Sequence, residues 1–163
     1  QDTMLREEAW RFVHLGTMLE RADNTARLLD VRHHLLTSGG EGGVDYVHWQ
    51  AALRSVSALR AYHWVYHDRL DPRRIVELLT LRPELPRSLI ACYAAVVELL
   101  DGIALAQGGR RGECHRLAGE IHARLRFGRL DAIFEQGLHE FLTHIITRTA
   151  ELGGEIERFY IRA

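Results

Sequence analysis

Apolar residues along this chain recur every three to four positions, the spacing of one face of an α-helix. Strand patterns are nearly absent, and Leu, Ala, Arg and Glu dominate, which favours helix. The last stretch is the clearest. Projected at about 100° per residue, Phe134, Leu138, Phe141, Leu142, Ile145, Leu152, Ile156 and Phe159 fall on one stripe. That helix should bury one side. The opening stretch differs. Leu5, Phe12, Leu19, Ala22, Ala26 and Leu29 form one apolar stripe, and Trp10, Val13, Leu28, Val31 and Leu35 form a second. A helix apolar on two sides is expected at the centre of a bundle, packed from both.

Breakers divide the pattern into six helices, four of them long. The first runs from about Thr3 to Leu36 and stops at the glycine-rich stretch Thr37 to Gly43. The second runs from Asp45 to Tyr66. Asp71-Pro72, a cap followed by proline at the first helical position, opens a short third helix over Arg73 to Thr80. Pro86 begins a fourth that reaches Ala106. The fifth spans Glu113 to Phe127. The sixth spans Asp131 to Tyr160, with a weak point expected at Gly153-Gly154. Links this short imply an antiparallel arrangement. The fold class is therefore all-α, an antiparallel bundle of about six helices in a single domain over residues 1–163. A chain of this length buries enough surface to need no metal or disulfide staple.

Charge narrows the chemistry. The 21 basic residues balance 22 acidic ones, so nothing in the total calls for nucleic acid or an anionic membrane. Every basic residue is Arg, and lysine is absent. That excludes a P-loop lysine, a Schiff-base lysine and the phosphate-binding lysine of a kinase. An anion site would have to use Arg, a backbone nest or a helix N-terminus. Two cysteines are too few for a disulfide framework. Cys92 lies in an apolar run and reads as a small buried hydrophobe. Cys114 precedes His115, but adjacent helical residues diverge and make a poor catalytic pair. No apolar run looks long enough to cross a membrane, and no signal-peptide core is visible, so a cytoplasmic setting is expected.

Polar residues interrupt the second stripe of the first helix. Glu20, Asn24 and Arg27 share one side with Val13 and Val31, so they are expected to face protein, shielded from water together with Arg21. A buried charge must be paired. Such a group is either a polar pocket or a structural network between helices, the network being the expected one. Arg54, Arg87, Arg124 and Arg126 stand near turns or apolar stretches. If they converged on Glu20-Arg21 they would form a fork for carboxylate or phosphate; singly, each belongs on a solvated face. His63 and His67, spaced by four, could grip a metal from the inner face of the second helix. The ligand count favours ordinary histidines, and neither a metal nor a cofactor is expected. Protonating all ten histidines would carry the charge from −1 to +9, so association could respond to pH near about 6. His139 and Glu140 lie off the apolar stripe of the last helix and make a weak acid/base set.

The run Leu19-Glu20-Arg21-Ala22-Asp23-Asn24-Thr25-Ala26-Arg27-Leu28-Leu29-Asp30-Val31 resembles the signature of the alpha-E family, bacterial helical proteins with a Glu-Arg motif. Leu53-Arg54-Ser55-Val56-Ser57-Ala58, Pro83-Glu84-Leu85-Pro86-Arg87-Ser88 and Gly137-Leu138-His139-Glu140-Phe141-Leu142 resemble further segments of that family in the same order. The resemblance implies an all-helical fold. It implies a gene neighbourhood of ATP-grasp ligases and transglutaminase-like peptidases, hence a peptide-modifying or amide-forming system. It singles out Glu20, Arg21, Asn24, Arg54, Arg87, His139 and Glu140 by position. Longer members hold two related halves, and the chain resembles the second. Two copies are therefore expected to associate and restore the missing half. The function this implies is a non-catalytic accessory module that binds an ATP-grasp ligase or its acidic substrate. The alternatives are an amide-transferring or hydrolysing enzyme with Glu20 as base, and a structural, pH-responsive helical oligomer.

Overall fold

The long apolar-faced segments close into a ring. A computed structural model describes residues 2–33 and 43–162. Among them lie eight helices and no strand: α1 (Asp2–Arg32), α2 (Gly43–Ser55), α3 (Leu59–Tyr66), α4 (Pro72–Leu81), α5 (Leu89–Ala106), α6 (Glu113–Arg126), α7 (Leu130–Gln136) and α8 (Leu138–Tyr160). The all-α reading holds. The two extra helices arise where expected helices divide. The segment expected from Asp45 to Tyr66 breaks at Ser57, which sits at φ 56°, and the Ala58 N–H closes back on the Leu53 carbonyl at 2.7 Å. The last segment breaks at Gly137, at φ 105°, where an L side chain would be strained. A Cβ there would also strike the Glu140 carboxylate. Gly153 and Gly154, the expected weak point, lie within an unbroken α8. The expected breaker from Thr37 to Gly42 and the position of Leu35 lie outside the described residues.

Caps set the other boundaries. Asp71 accepts the Arg73 N–H at 3.0 Å, with Pro72 at the first helical position, as the sequence indicates. Pro86 does not start α5. Ser88 does, through a side chain that accepts the Ala91 N–H at 3.2 Å.

α1, α5, α6 and α8 form the ring, each antiparallel to both neighbours. Near its start α1 meets the ends of α5 and α8, where Glu8 bonds Gln107 and Phe12 packs edge-on against Tyr160. Near its end it meets their beginnings, where Thr25 bonds the Arg87 carbonyl and Asp30 meets His139. Opposite it, α6 runs against α5 and α8, fixed by the Arg148–Glu120 pair and by Tyr160 on His115. α4 packs across α5, α6 and α7, and α2 and α3 lead into it. Leu15, Leu29, Tyr93, Leu100, Ile103, Leu142 and Ile145 fill the centre. Each such side chain contributes about 1.5–3 kcal/mol by leaving water.

α1 is therefore one wall of the ring and not its axis. Its buried line is Leu15, Met18, Ala22, Thr25, Ala26 and Leu29. Of the second apolar stripe, expected to be packed, Leu28 does pack against the core, but Trp10, Val13 and Val31 face outward at 60%, 71% and 67% exposed. Neighbours occupy two adjacent sides of α1, and no described helix covers the third. α5, by contrast, is apolar enough over 18 residues, at mean hydropathy 2.0, to cross a membrane by length and composition. That departs from the expectation that no run reaches such length. In this fold the same residues supply core, with Leu89, Tyr93, Val96, Leu100 and Ile103 wholly buried.

Candidate functional site

The polar residues picked out by sequence divide among three places around α1. Glu20, Asn24 and Arg27 point outward and are exposed, so the expected shielding at the helix junction does not occur. They project between Val13 and Val31 on the side opposite Ala22 and Leu29, which takes the core. Arg27 is held by Asp23 one turn earlier, Nε donating to Oδ2 at 2.8 Å. A buried Glu20 base loses its structural premise here, because the carboxylate is open to water.

Arg21 and Arg87 share the α1–α5 seam, the charge of each reaching Cys92. Arg21 projects from α1 toward the start of α5, and Arg87 sits one residue before the Ser88 cap; both are half-buried. Thr25, one turn beyond Arg21, is 1% exposed and donates its hydroxyl proton to the Arg87 carbonyl at 2.8 Å. That bond ties the loop before α5 to α1. Both guanidinium charges reach Cys92, but burial outweighs them and pushes the thiol up to about 11. Cys92 is a protonated core residue, as its apolar run suggests. Neither arginine makes an ion pair among the described residues.

The third place is the α1–α8 seam. His139 Nδ1 lies 2.5 Å from Asp30 Oδ1. His33, one turn beyond Asp30, bonds the Asp30 carbonyl through Nδ1, and its ring stacks on His139 with centroids 5.1 Å apart. Hydrogen bonding to the Asp30 carboxylate raises the His139 pKa above its ordinary value. His33, His139 and Glu140 line a cleft of about 490 Å³ with Arg73, Phe134, Gly137 and Leu138. Arg73 lies over the Phe134 ring at 4.2 Å and pairs with Asp131 at 3.1 Å.

Of the arginines expected to converge, Arg21 and Arg87 share a seam and the others lie elsewhere. Arg54 is exposed at the end of α2. Arg124 bonds Gln136 at 3.0 Å, and Arg126 covers Phe127. His63 and His67 do not form an i, i+4 grip. α3 ends at Tyr66, His67 takes the left-handed conformation at φ 50°, and both rings are exposed, not inward. Asp30 and His33 were not marked by sequence. Their i, i+3 spacing was the available signal, but their partner lies 109 positions from Asp30. Cys114 and His115 also meet, Sγ to Nδ1 at 3.4 Å, contrary to the expected divergence. Burial raises the Cys114 pKa and lowers that of His115, which disfavours a thiolate–imidazolium pair. His115 instead accepts the Gly112 N–H at 3.0 Å and meets the Tyr160 hydroxyl at 2.9 Å, closing the α6–α8 end.

Residues 1–161 match a family described as a predicted alpha-helical domain with a conserved ER motif. No curated protein and no solved structure matches the chain.

Proposed function

Since the chain belongs to the Alpha-E family, we propose that it is a non-catalytic accessory module of an ATP-grasp-linked peptide or amide ligation system, binding carboxylate-bearing peptide through Arg21 and Arg87. The observation that carries this reading is the placement of both half-buried arginines at the α1–α5 seam, where each charge reaches Cys92 and neither has an ion-pair partner among the described residues. Guanidinium groups hold carboxylates by paired, charge-assisted hydrogen bonds. Half-burial strengthens such a bond relative to an exposed one. Glu20 and Asn24 flank this spot on the outer face and would select among peptides by charge and shape. The ligase link rests on the gene neighbourhood that the family resemblance implies.

The test is fluorescence anisotropy with a labelled Glu-rich peptide, and gel filtration with a purified ATP-grasp ligase from the same gene neighbourhood. Binding should weaken at least about tenfold in the Arg21→Gln/Arg87→Gln double variant, the loss of about 1.4 kcal/mol or more. Arg124→Gln should bind as the wild type does. Equal affinity in all three would remove the arginine reading, and failure to co-elute would remove the ligase.

Self-association has its own observation, the exposed face of α1. Trp10, Val13, Glu20, Asn24, Arg27 and Val31 are all exposed there. In an antiparallel pair of α1 helices crossing near residues 22–24, Val13 of each copy would lie opposite Val31 of the other. In that register Glu20 would lie opposite Asn24 and within one turn of Arg27. A two-fold interface demands this kind of self-complementarity. Sedimentation equilibrium should report a dimer that Val13→Glu converts to monomer without lowering the melting temperature. A wild-type monomer at high concentration would exclude it.

A further inference from the structure

We infer that Asp30, His33 and His139 form a binding site for a divalent transition-metal ion of the zinc class. One donor atom from each lies within 4.8 Å of the others. Two imidazoles and one carboxylate are the donor set that zinc and its first-row neighbours accept in three-ligand, open sites. A tetrahedral ion with bonds of about 2.1 Å spaces its ligands roughly 3.4 Å apart, so closure asks for side-chain adjustments of about an ångström. The structure supplies the means. Asp30 lies in the last turn of α1 and His33 just past its end, where the His33 N–H donates to the Asp30 carbonyl at 3.4 Å and fixes their spacing. His139 is the second residue of α8, placed across the seam by the chain reversal at Gly137.

Two features hold the rings in position before an ion arrives. His33 Nδ1 is bonded to the Asp30 carbonyl, the kind of hydrogen bond that orients ligating imidazoles. The face-to-face contact of His33 and His139 fixes the second ring against the first. Both line the cleft that also holds Arg73 and Glu140, so an ion bound by these three would keep a position open to water or to an anionic ligand. The three donors are partly exposed, with side chains 26% (Asp30), 39% (His33) and 51% (His139) accessible, which leaves an entry path. The site joins α1 to α8, so occupancy would clamp one side of the ring. It is separate from the Arg21–Arg87 seam and does not depend on the peptide-binding reading.

The experiment is calorimetric titration of chelator-stripped full chain with zinc chloride, repeated with cobalt(II) and followed by visible absorption. The wild type should bind one ion per chain with micromolar or tighter affinity. Cobalt should give the intense visible bands of a low-coordinate N/O site. His33→Ala/His139→Ala should weaken that event by at least about a hundredfold with the helical circular dichroism unchanged, because the side chains removed lie outside the core. Asp30→Asn should weaken it less. His63→Ala/His67→Ala should change nothing. Absence of stoichiometric binding up to millimolar zinc would overturn the site, as would full binding by the His33→Ala/His139→Ala variant. So would loss of binding only in His63→Ala/His67→Ala.

Discussion

The two faces of α1 carry similar residues and meet opposite fates. Inward stand Leu15, Met18, Ala22, Ala26 and Leu29, all nearly or wholly buried; outward stand Trp10, Val13 and Val31, all more than half exposed. Hydrophobicity alone does not separate the two. Side-chain volume does part of it: Ala22 and Ala26 on the inner face let α5 and α8 approach closely, while the outer face interleaves Val with Glu20, Asn24 and Arg27. The polar residues on the outer face are diagnostic. A neighbour within the chain would have had to neutralise Glu20 and Arg27 at a cost of several kcal/mol. Water, or a partner that brings its own matching charges, does not.

The sharpest way to break this contrast is to cut side chains two positions apart. Leu29, 1% exposed, sits in the core cluster, and Leu29→Ala should cost about 2–5 kcal/mol of unfolding free energy, since it removes buried methylenes and leaves a cavity. Val31→Ala, on the outer face, should stay within about 0.5 kcal/mol in the same urea titration. Comparable losses at both positions would mean that the outer face is packed in solution. The next largest effect comes from adding bulk. Ala26→Leu should destabilise by about 1–3 kcal/mol because the site is wholly closed, whereas Arg27→Leu beside it should leave stability nearly unchanged.

These contrasts also mark what was legible in the chain. The helices, the Asp71-Pro72 start and the antiparallel order follow from periodicity and breakers, which are local. The stripe of the last helix is buried at Leu138, Phe141, Leu142, Ile145, Leu152 and Ile156, as projection indicates. α1 defeated the same projection because two apolar stripes can mean neighbours on both sides, or neighbours on one side and an open face on the other. Periodicity does not distinguish them. The breaks at Ser57 and Gly137 were missed since each depends on a single left-handed or glycine-only backbone angle inside an otherwise helical pattern. At the candidate site, Arg21 and Arg87 are singled out individually, yet their placement on one seam depends on the register of α1 against α5. Asp30 and His33 went unmarked because their partner His139 is brought in by the turn at Gly137. That juxtaposition is tertiary and has no local signature.

A smaller effect tests the border between the faces. Thr25 lies at the edge of the buried line and spends its hydroxyl on the Arg87 carbonyl. Thr25→Val keeps the shape and removes the bond, so it should cost about 0.5–1.5 kcal/mol. The same variant should weaken Glu-rich peptide binding, because Arg87 is no longer tied to α1. A stability loss with unchanged peptide affinity would show that Arg87 needs no such tether.

The smallest expected effect is the pH response of the α1–α8 seam. His139 faces Asp30 at the end of α1 and His33 just beyond it, Glu140 from its own helix and Arg73 from α4. The Asp30 carboxylate raises its pKa, so the folded state holds the imidazolium proton more tightly than the unfolded chain does. The resulting stabilisation is complete below the ordinary histidine value of about 6.5 while Asp30 remains ionised. It fades as pH rises through the raised folded-state value. The melting-temperature gap between wild type and His139→Gln should therefore be wider at about pH 5.5 than at about pH 8.5. The gap stays small because the pair is exposed to solvent, and salt should narrow it further. Titration of the His139 ring by NMR gives the direct check: a midpoint above that of His122, whose pKa is lowered by burial and by Arg126, fits the pairing. A His139 midpoint at or below that of His122 would mean that Asp30 does not hold the ring in solution.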